Sequence, residues 1–102
     1  MAASGRKGGE AELDPVASAI LEALGALEPG RSLDPQDVAR LIATARRRRS
    51  DPPELWRRYL PAVRQQAIHL ARDGRIVLLR KGVAIDASGP VKGVVRLALP
   101  SA

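Results

Sequence analysis

The stretch Trp56-Arg57-Arg58-Tyr59-Leu60-Pro61-Ala62-Val63-Arg64 runs on through Leu70-Ala71-Arg72-Asp73-Gly74-Arg75 into Ile76-Val77-Leu78-Leu79 and ends at Arg80-Lys81-Gly82. It reads as an arginine-studded helix, a glycine stop, a short buried strand and a basic turn. At 100° per residue, Leu60, Val63, Ala67, Leu70 and Ala71 share one face. Ala62, Gln65, His69 and Arg72 lie opposite. A polar helix face followed by a basic hairpin is how a winged helix meets nucleic acid.

Upstream, three Asp-Pro pairs punctuate the chain: Asp14-Pro15, Asp34-Pro35 and Asp51-Pro52. Asp accepts hydrogen bonds from the free N–H groups of a helix start, and Pro fits the first helical position, where its missing N–H costs nothing. Each pair precedes helical spacing, so the pairs predict three helix starts. The first helix buries Val16, Ile20, Leu24 and Leu27 and ends at Glu28-Pro29-Gly30. Arg31-Ser32-Leu33 is a short extended link. The second helix buries Val38, Leu41 and Ile42, carries Asp37 in its first turn, and ends near Ala45. In the third region Pro61 would remove one hydrogen bond and clash with the preceding turn. Either the helix kinks there, or, as favoured, a short turn covers about residues 53–59 and a helix runs from Pro61 to about Arg72, stopped by Gly74.

Downstream, Arg75–Arg80 and Val94–Leu99 read as two strands, joined by a long hairpin loop over Gly82–Gly93. The predicted class is therefore α+β: a winged helix-turn-helix of three helices followed by a two-stranded β-hairpin wing. A three-helix bundle with a loose tail and a different α+β fold are its alternatives. Residues 1–13 lack periodicity and read as a disordered tail, leaving residues 14–100 as the domain.

A chain of 102 residues makes one domain. With one Trp, one Tyr and no Phe, the core must come from Leu, Val, Ile and Ala. The absence of cysteine excludes disulfides and thiolate metal sites and suits a reducing cytosol. No apolar run approaches the ~20 residues needed to span a bilayer, and no N-terminal stretch resembles a signal peptide. A cytoplasmic protein without membrane contact is expected.

The net charge is +6, and it is unevenly spread. Residues 1–45 hold four basic and seven acidic groups, and residues 46–102 hold thirteen basic and four acidic groups. Arginine outnumbers lysine fourteen to three, as GC-rich coding would give. That bias does not explain why acids thin out in the second half. The asymmetry points to a polyanionic partner.

Catalysis is not expected. His69 is the single histidine, no phosphate-binding glycine loop is present, and most acids sit where helix capping explains them. No metal or cofactor site is expected. The candidate nucleic-acid contacts are Arg46, Arg47, Arg48 and Arg49 in the turn after helix two, Arg57 and Arg58 one turn upstream of the third helix, and Gln65 and Arg72 on its polar face. Gln is suited to adenine, and Arg to guanine or phosphate. Arg80, Lys81 and Lys92 flank the wing, where charge on short edge strands also discourages aggregation. Arg64, at the edge of the apolar stripe, suits an ion pair with Asp37 or Asp86. Trp56 reads as core rather than as a stacking platform.

Four segments also resemble a known family, the small bacterial proteins grouped as domain of unknown function 3253. They are Asp37-Val38-Ala39-Arg40; Trp56-Arg57 with Leu60-Pro61-Ala62-Val63-Arg64; Leu70-Ala71 with Gly74-Arg75-Ile76; and Lys81-Gly82 with Ile85-Asp86, Lys92-Gly93 and Arg96-Leu97. The resemblance covers roughly residues 15–99. It implies a winged-helix-like fold and no particular activity. The Arg46–Leu55 link is longer than the resemblance leads one to expect, and a cysteine-rich module carried by some relatives is missing. The function expected is binding of double-stranded DNA. The competing expectation is a protein-interaction module, with the acidic first half facing a partner or helix one making a homodimer. RNA binding is the weakest of the three, because exposed aromatics for base stacking are lacking.

Overall fold

A computed structural model describes residues 14–100. The expected tail over residues 1–13 lies outside them. Three helices are followed by a three-stranded antiparallel sheet, an α+β fold. We label the helices α1 (Pro15–Gly25), α2 (Pro35–Ala45) and α3 (Trp56–Arg72), and the strands β1 (Val77–Arg80), β2 (Val83–Ile85) and β3 (Arg96–Ala98).

Two of the three Asp-Pro pairs cap helices as expected. Asp14 accepts from the Val16 N–H at 2.7 Å. Asp34 accepts from the Gln36 N–H at 2.8 Å, and Asp37 reaches back to the Asp34 N–H at 3.0 Å. These two bonds satisfy N–H groups at both sides of the helix start, the reciprocal device of a capping box. The third pair does something else. Asp51 accepts from the Arg48 N–H at 2.7 Å, so it closes the turn after the arginine run rather than opening a helix. The helix itself begins at Trp56, and Leu55 supplies no side-chain cap.

α3 runs unbroken through Pro61, against the expectation of a turn and a fresh start. The reason is phase. Trp56, Tyr59, Leu60 and Val63 are spaced i, i+3, i+4 and i+7, so one continuous helix turns all four toward the core. Val63 is fully buried and the other three pack half-buried against the same cluster. A proline costs a helix interior ~3 kcal/mol. Side chains worth roughly 1.5–3 kcal/mol each when fully buried outweigh that even at partial burial.

Other elements shift by a few residues. α1 stops at Gly25, short of the expected Glu28-Pro29-Gly30, while Leu27 still packs against the core. In α2 the buried set is Pro35, Val38, Ala39 and Ile42. Leu41 was expected in that stripe but lies 100° away from Ile42 and is 54% exposed. Gly74 stops α3 as expected, with φ 77°. The Arg75 N–H donates to the Leu70 carbonyl and the Gly74 N–H to the Ala71 carbonyl, a Schellman closure.

The sheet order is β2-β1-β3. Leu78 pairs with Ile85 on one side and with Leu97 on the other. The link after α1 joins the same sheet: Leu33 and Leu97 exchange N–H···O bonds of 2.8 and 2.7 Å. Buried Leu78, Ile76 and Leu97 thereby meet Ile20, Leu24, Val38 and Val63 from the helices in one core. The expected long hairpin loop instead begins with β2, so the expected two-stranded hairpin is a three-stranded sheet. Arg80 pairs with Val83 across a two-residue turn, Lys81-Gly82, with φ of 54° and 81°. Positive φ at both positions is the turn whose twist matches two antiparallel strands.

Lys81 is a poor residue for that conformation, because an L side chain there costs roughly 1–2 kcal/mol. Lys81→Asn should raise stability by about 0.5–1 kcal/mol, since Asn tolerates left-handed backbone. The check is a urea midpoint that moves up at unchanged slope. A downward shift would show that the turn is not built this way.

Candidate nucleic-acid interface

Among the described residues no polar or charged side chain is buried, so every cation of α2, α3 and the sheet reaches solvent at least in part. α3 exposes Arg57, Arg58, Pro61, Gln65, His69 and Arg72 and buries Val63, Ala67 and Leu70. Ala62 was expected on the exposed face but is half-buried against the core. The helix spans 17 residues without one Asp or Glu. His69 and Arg72 occupy its last turn, where the carbonyl end of the helix favours cations.

Arg46, Arg47, Arg48 and Arg49 are all exposed in the turn after α2. That turn folds back so that the end of α2 meets the start of α3. The Arg46 guanidinium lies 5.7 Å from the centre of the Tyr59 ring. Trp56 receives two guanidiniums, Arg40 at 4.6 Å and Arg57 at 5.5 Å. Trp56 is therefore half core and half platform: it packs against the cluster and also holds arginines in place. Each such contact contributes ~0.5–1 kcal/mol at an exposed site. Arg40 was not among the expected contacts. Its signal was the i, i+4 spacing of Arg40 and Thr44 on α2, visible only once the partner ring across the link is known.

On the sheet side, two expected contacts also hold the fold. Arg72 Nε donates to the Ala87 carbonyl at 2.6 Å, and its Nη2 lies 3.5 Å from the Gly89 carbonyl. Arg80 Nη2 donates to the Lys92 carbonyl. Both arginines thus fasten the segment between β2 and β3, one to α3 and one to β1. Their charge is retained, since the partners are neutral carbonyls. Arg96 does the same for the other edge, donating to Ser32 Oγ at 2.7 Å and to the Ser32 carbonyl at 2.9 Å. Lys81 and Lys92 are exposed.

The acids proposed as partners for Arg64 have local tasks. Asp37 closes the α2 start. Asp86 Oδ1 accepts from the Ser88 N–H at 2.9 Å and the Ser88 hydroxyl at 2.7 Å. The backbone bond first, then the hydroxyl, holds the Asp86 carboxyl below its ordinary range. Arg64 is half-buried and lines a small apolar hollow with Ile68, Leu78, Val91 and Val95, a setting that suits its aliphatic stem.

The expected cations outside α3 thus fall into two groups, the α2–α3 junction and the β2–β3 segment with its neighbouring turn, while exposed Arg31, Arg75 and Arg96 belong to neither. A model of one family, Protein of unknown function (DUF3253), matches residues 13–100. The chain belongs to the DUF3253 family. No curated protein matches this DUF3253 chain. The segments that resembled the family fall at structural joints of the DUF3253 domain: the first half of α2, the start and end of α3, and the Lys81-Gly82 turn. No helix among the described residues is long and apolar enough to cross a membrane. Among the same residues, no three His, Asp or Glu side chains gather as a metal site.

Proposed function

We propose that this chain is a small cytoplasmic DNA-binding protein of winged helix-turn-helix architecture, a binder rather than a catalyst. The observation that carries the reading is α3: four arginines, one histidine and no carboxylate along 17 residues, with Gln65 and His69 on the exposed face. Duplex DNA presents a continuous anionic surface and a major groove wide enough for one helix. The architectural half of the reading is supported by Leu33, an extended residue between α1 and α2 that pairs with β3, beside β1. The wing would be the Lys81-Gly82 turn with the segment reaching Lys92. A lysine kept in left-handed backbone at a turn tip fits a position held for contact rather than for stability.

The test is a titration of random-sequence duplex at two salt concentrations. Each neutralised phosphate contributes a slope of about −0.9 in log affinity against log salt. With about six phosphates engaged, affinity should fall about a thousand-fold between ~50 and ~200 mM salt. No binding at the lower salt would overturn the reading.

A second reading, a protein-interaction module, is favoured by one feature. A groove of about 320 Å³ runs between α1 and α2, with Ala19, Ala23, Leu41 and Ala45 in its lining beside one acid and one base, Glu22 and Arg46. Absence of DNA binding at low ionic strength would favour it.

A further inference from the structure

Beside the start of α3 lies a groove of about 350 Å³ that the outer face of that helix does not include. One wall is the end of α2, which sets Arg40 and Thr44 at i and i+4, continued by Arg47 from the turn that follows it. The other wall is Pro52, Pro53 and Trp56. Resting on the DNA reading above, we propose that this groove seats a sugar–phosphate unit of the duplex backbone. The phosphate takes its hydrogen bonds from Arg40, Thr44 and Arg47, and the deoxyribose lies against the two prolines and the indole edge.

The chemistry of the two walls carries the assignment. Arg40 stacks its guanidinium 4.6 Å from the centre of the Trp56 ring, and Arg57 approaches the same ring at 5.5 Å. Stacking uses the flat face of a guanidinium and leaves its N–H edge free to donate, which is the edge that matches a phosphate. A guanidinium already held by a ring loses less freedom when the anion arrives. Thr44 and Arg47 are both exposed, so their donors reach the same space. The one carboxylate in the lining, Asp51, has an oxygen engaged by the Arg48 N–H at 2.7 Å, which keeps the turn closed. The lining therefore keeps an excess of positive charge. Two other grooves lack that excess: the α1–α2 groove has one acid and one base in its lining, Glu22 and Arg46, and the groove at the end of α1 has Glu28 and Arg31. The proline wall offers no N–H donor and suits the apolar face of a sugar.

Trp56 is the only tryptophan, so its emission reports the groove directly. The experiment uses the full chain, a random-sequence duplex of about two turns and ~50 mM salt. Wild type should change its emission as duplex is added. Arg47→Ala removes a groove cation without disturbing the guanidiniums stacked on Trp56. It should weaken binding about tenfold at ~0.1 M salt, lower the salt slope by about 1, and shrink the emission change. Arg31→Ala removes the same charge at the far end of α1 and should leave the slope and emission near wild type. Thr44→Val, which keeps shape and removes a donor, should weaken binding in the same direction and serves if the Arg47 variant melts early. Failure of wild type to bind duplex sinks the DNA reading, and this proposal with it. Equal slopes and emission for the Arg47 and Arg31 variants overturn the groove alone and leave the DNA reading standing. A deoxynucleoside monophosphate that reproduces the full emission change by itself also overturns it, in favour of a small-ligand site.

Discussion

Alanine at Arg46, Arg47, Arg48, Arg49, Arg57 and Arg58 together should lower duplex affinity about a thousand-fold at ~0.1 M salt and reduce the salt slope by about 3. At that salt each neutralised phosphate is worth roughly tenfold, so the figure corresponds to about half of the six side chains holding a phosphate. Fewer than six is expected because adjacent arginines in one turn cannot all reach separate phosphates at once. Arg46 and Arg57 lie over Tyr59 and Trp56, and Arg48 sits in the turn closed by Asp51. All six are exposed, so their removal leaves the core intact. Four adjacent cations repel one another in the free protein, and relief of that repulsion offsets the ~0.5–1 kcal/mol lost at each of the two ring contacts, so the melting temperature should stay near that of wild type. Lysine at the same six positions should restore most of the salt slope but less of the affinity, since an ammonium lacks the planar fork of a guanidinium. A variant that melts like wild type and binds duplex with an unchanged salt slope would remove the junction from the interface. The DNA reading would then rest on α3 and the wing alone.

The helices were legible because their signals are local. Asp14 and Asp34 mark starts that need only the next two or three residues, and Gly74 marks a stop whose positive φ follows from the closing bonds around it. Asp51-Pro52 carries the same dipeptide and caps nothing, because its carboxylate is taken by the Arg48 N–H three residues earlier. β2 was missed for a related reason. Val83-Ala84-Ile85 is too short to show alternation, and the turn before it uses Lys81 where Asn or Asp usually announces a tight hairpin. The candidate site was half legible. Charge runs reveal exposed arginines but not their neighbours. Arg72 reaching Ala87, Arg80 reaching Lys92 and Arg40 reaching Trp56 are contacts between residues 12 to 16 apart. Only the folded chain decides them. Two of the three turn expected DNA contacts into residues that also hold the segment between β2 and β3.

Pro61→Ala should stabilise the domain by about 1–3 kcal/mol, an unusual sign for a substitution inside a helix that packs on the core. In α3 as it stands, the amide of residue 61 has no hydrogen to offer the Arg57 carbonyl one turn back, and the proline ring crowds that turn. Alanine restores the bond and relieves the crowding. Residue 61 is exposed, so no packing is lost on the outer side. Proline's narrowing of the unfolded ensemble offsets part of the gain, by ~0.4–1 kcal/mol. For a domain of this size each kcal/mol moves the melting temperature by roughly 4–8 °C. The result also discriminates between the two ways the chain could pass this point. If a fresh helix began at residue 61, proline would occupy its favoured first position and alanine would be neutral or harmful. A Tm that falls, or stays put, would therefore break the continuous helix. It would also break the argument that Trp56, Tyr59, Leu60 and Val63 share one buried face, which brings Trp56 to Arg40 and shapes the groove between them.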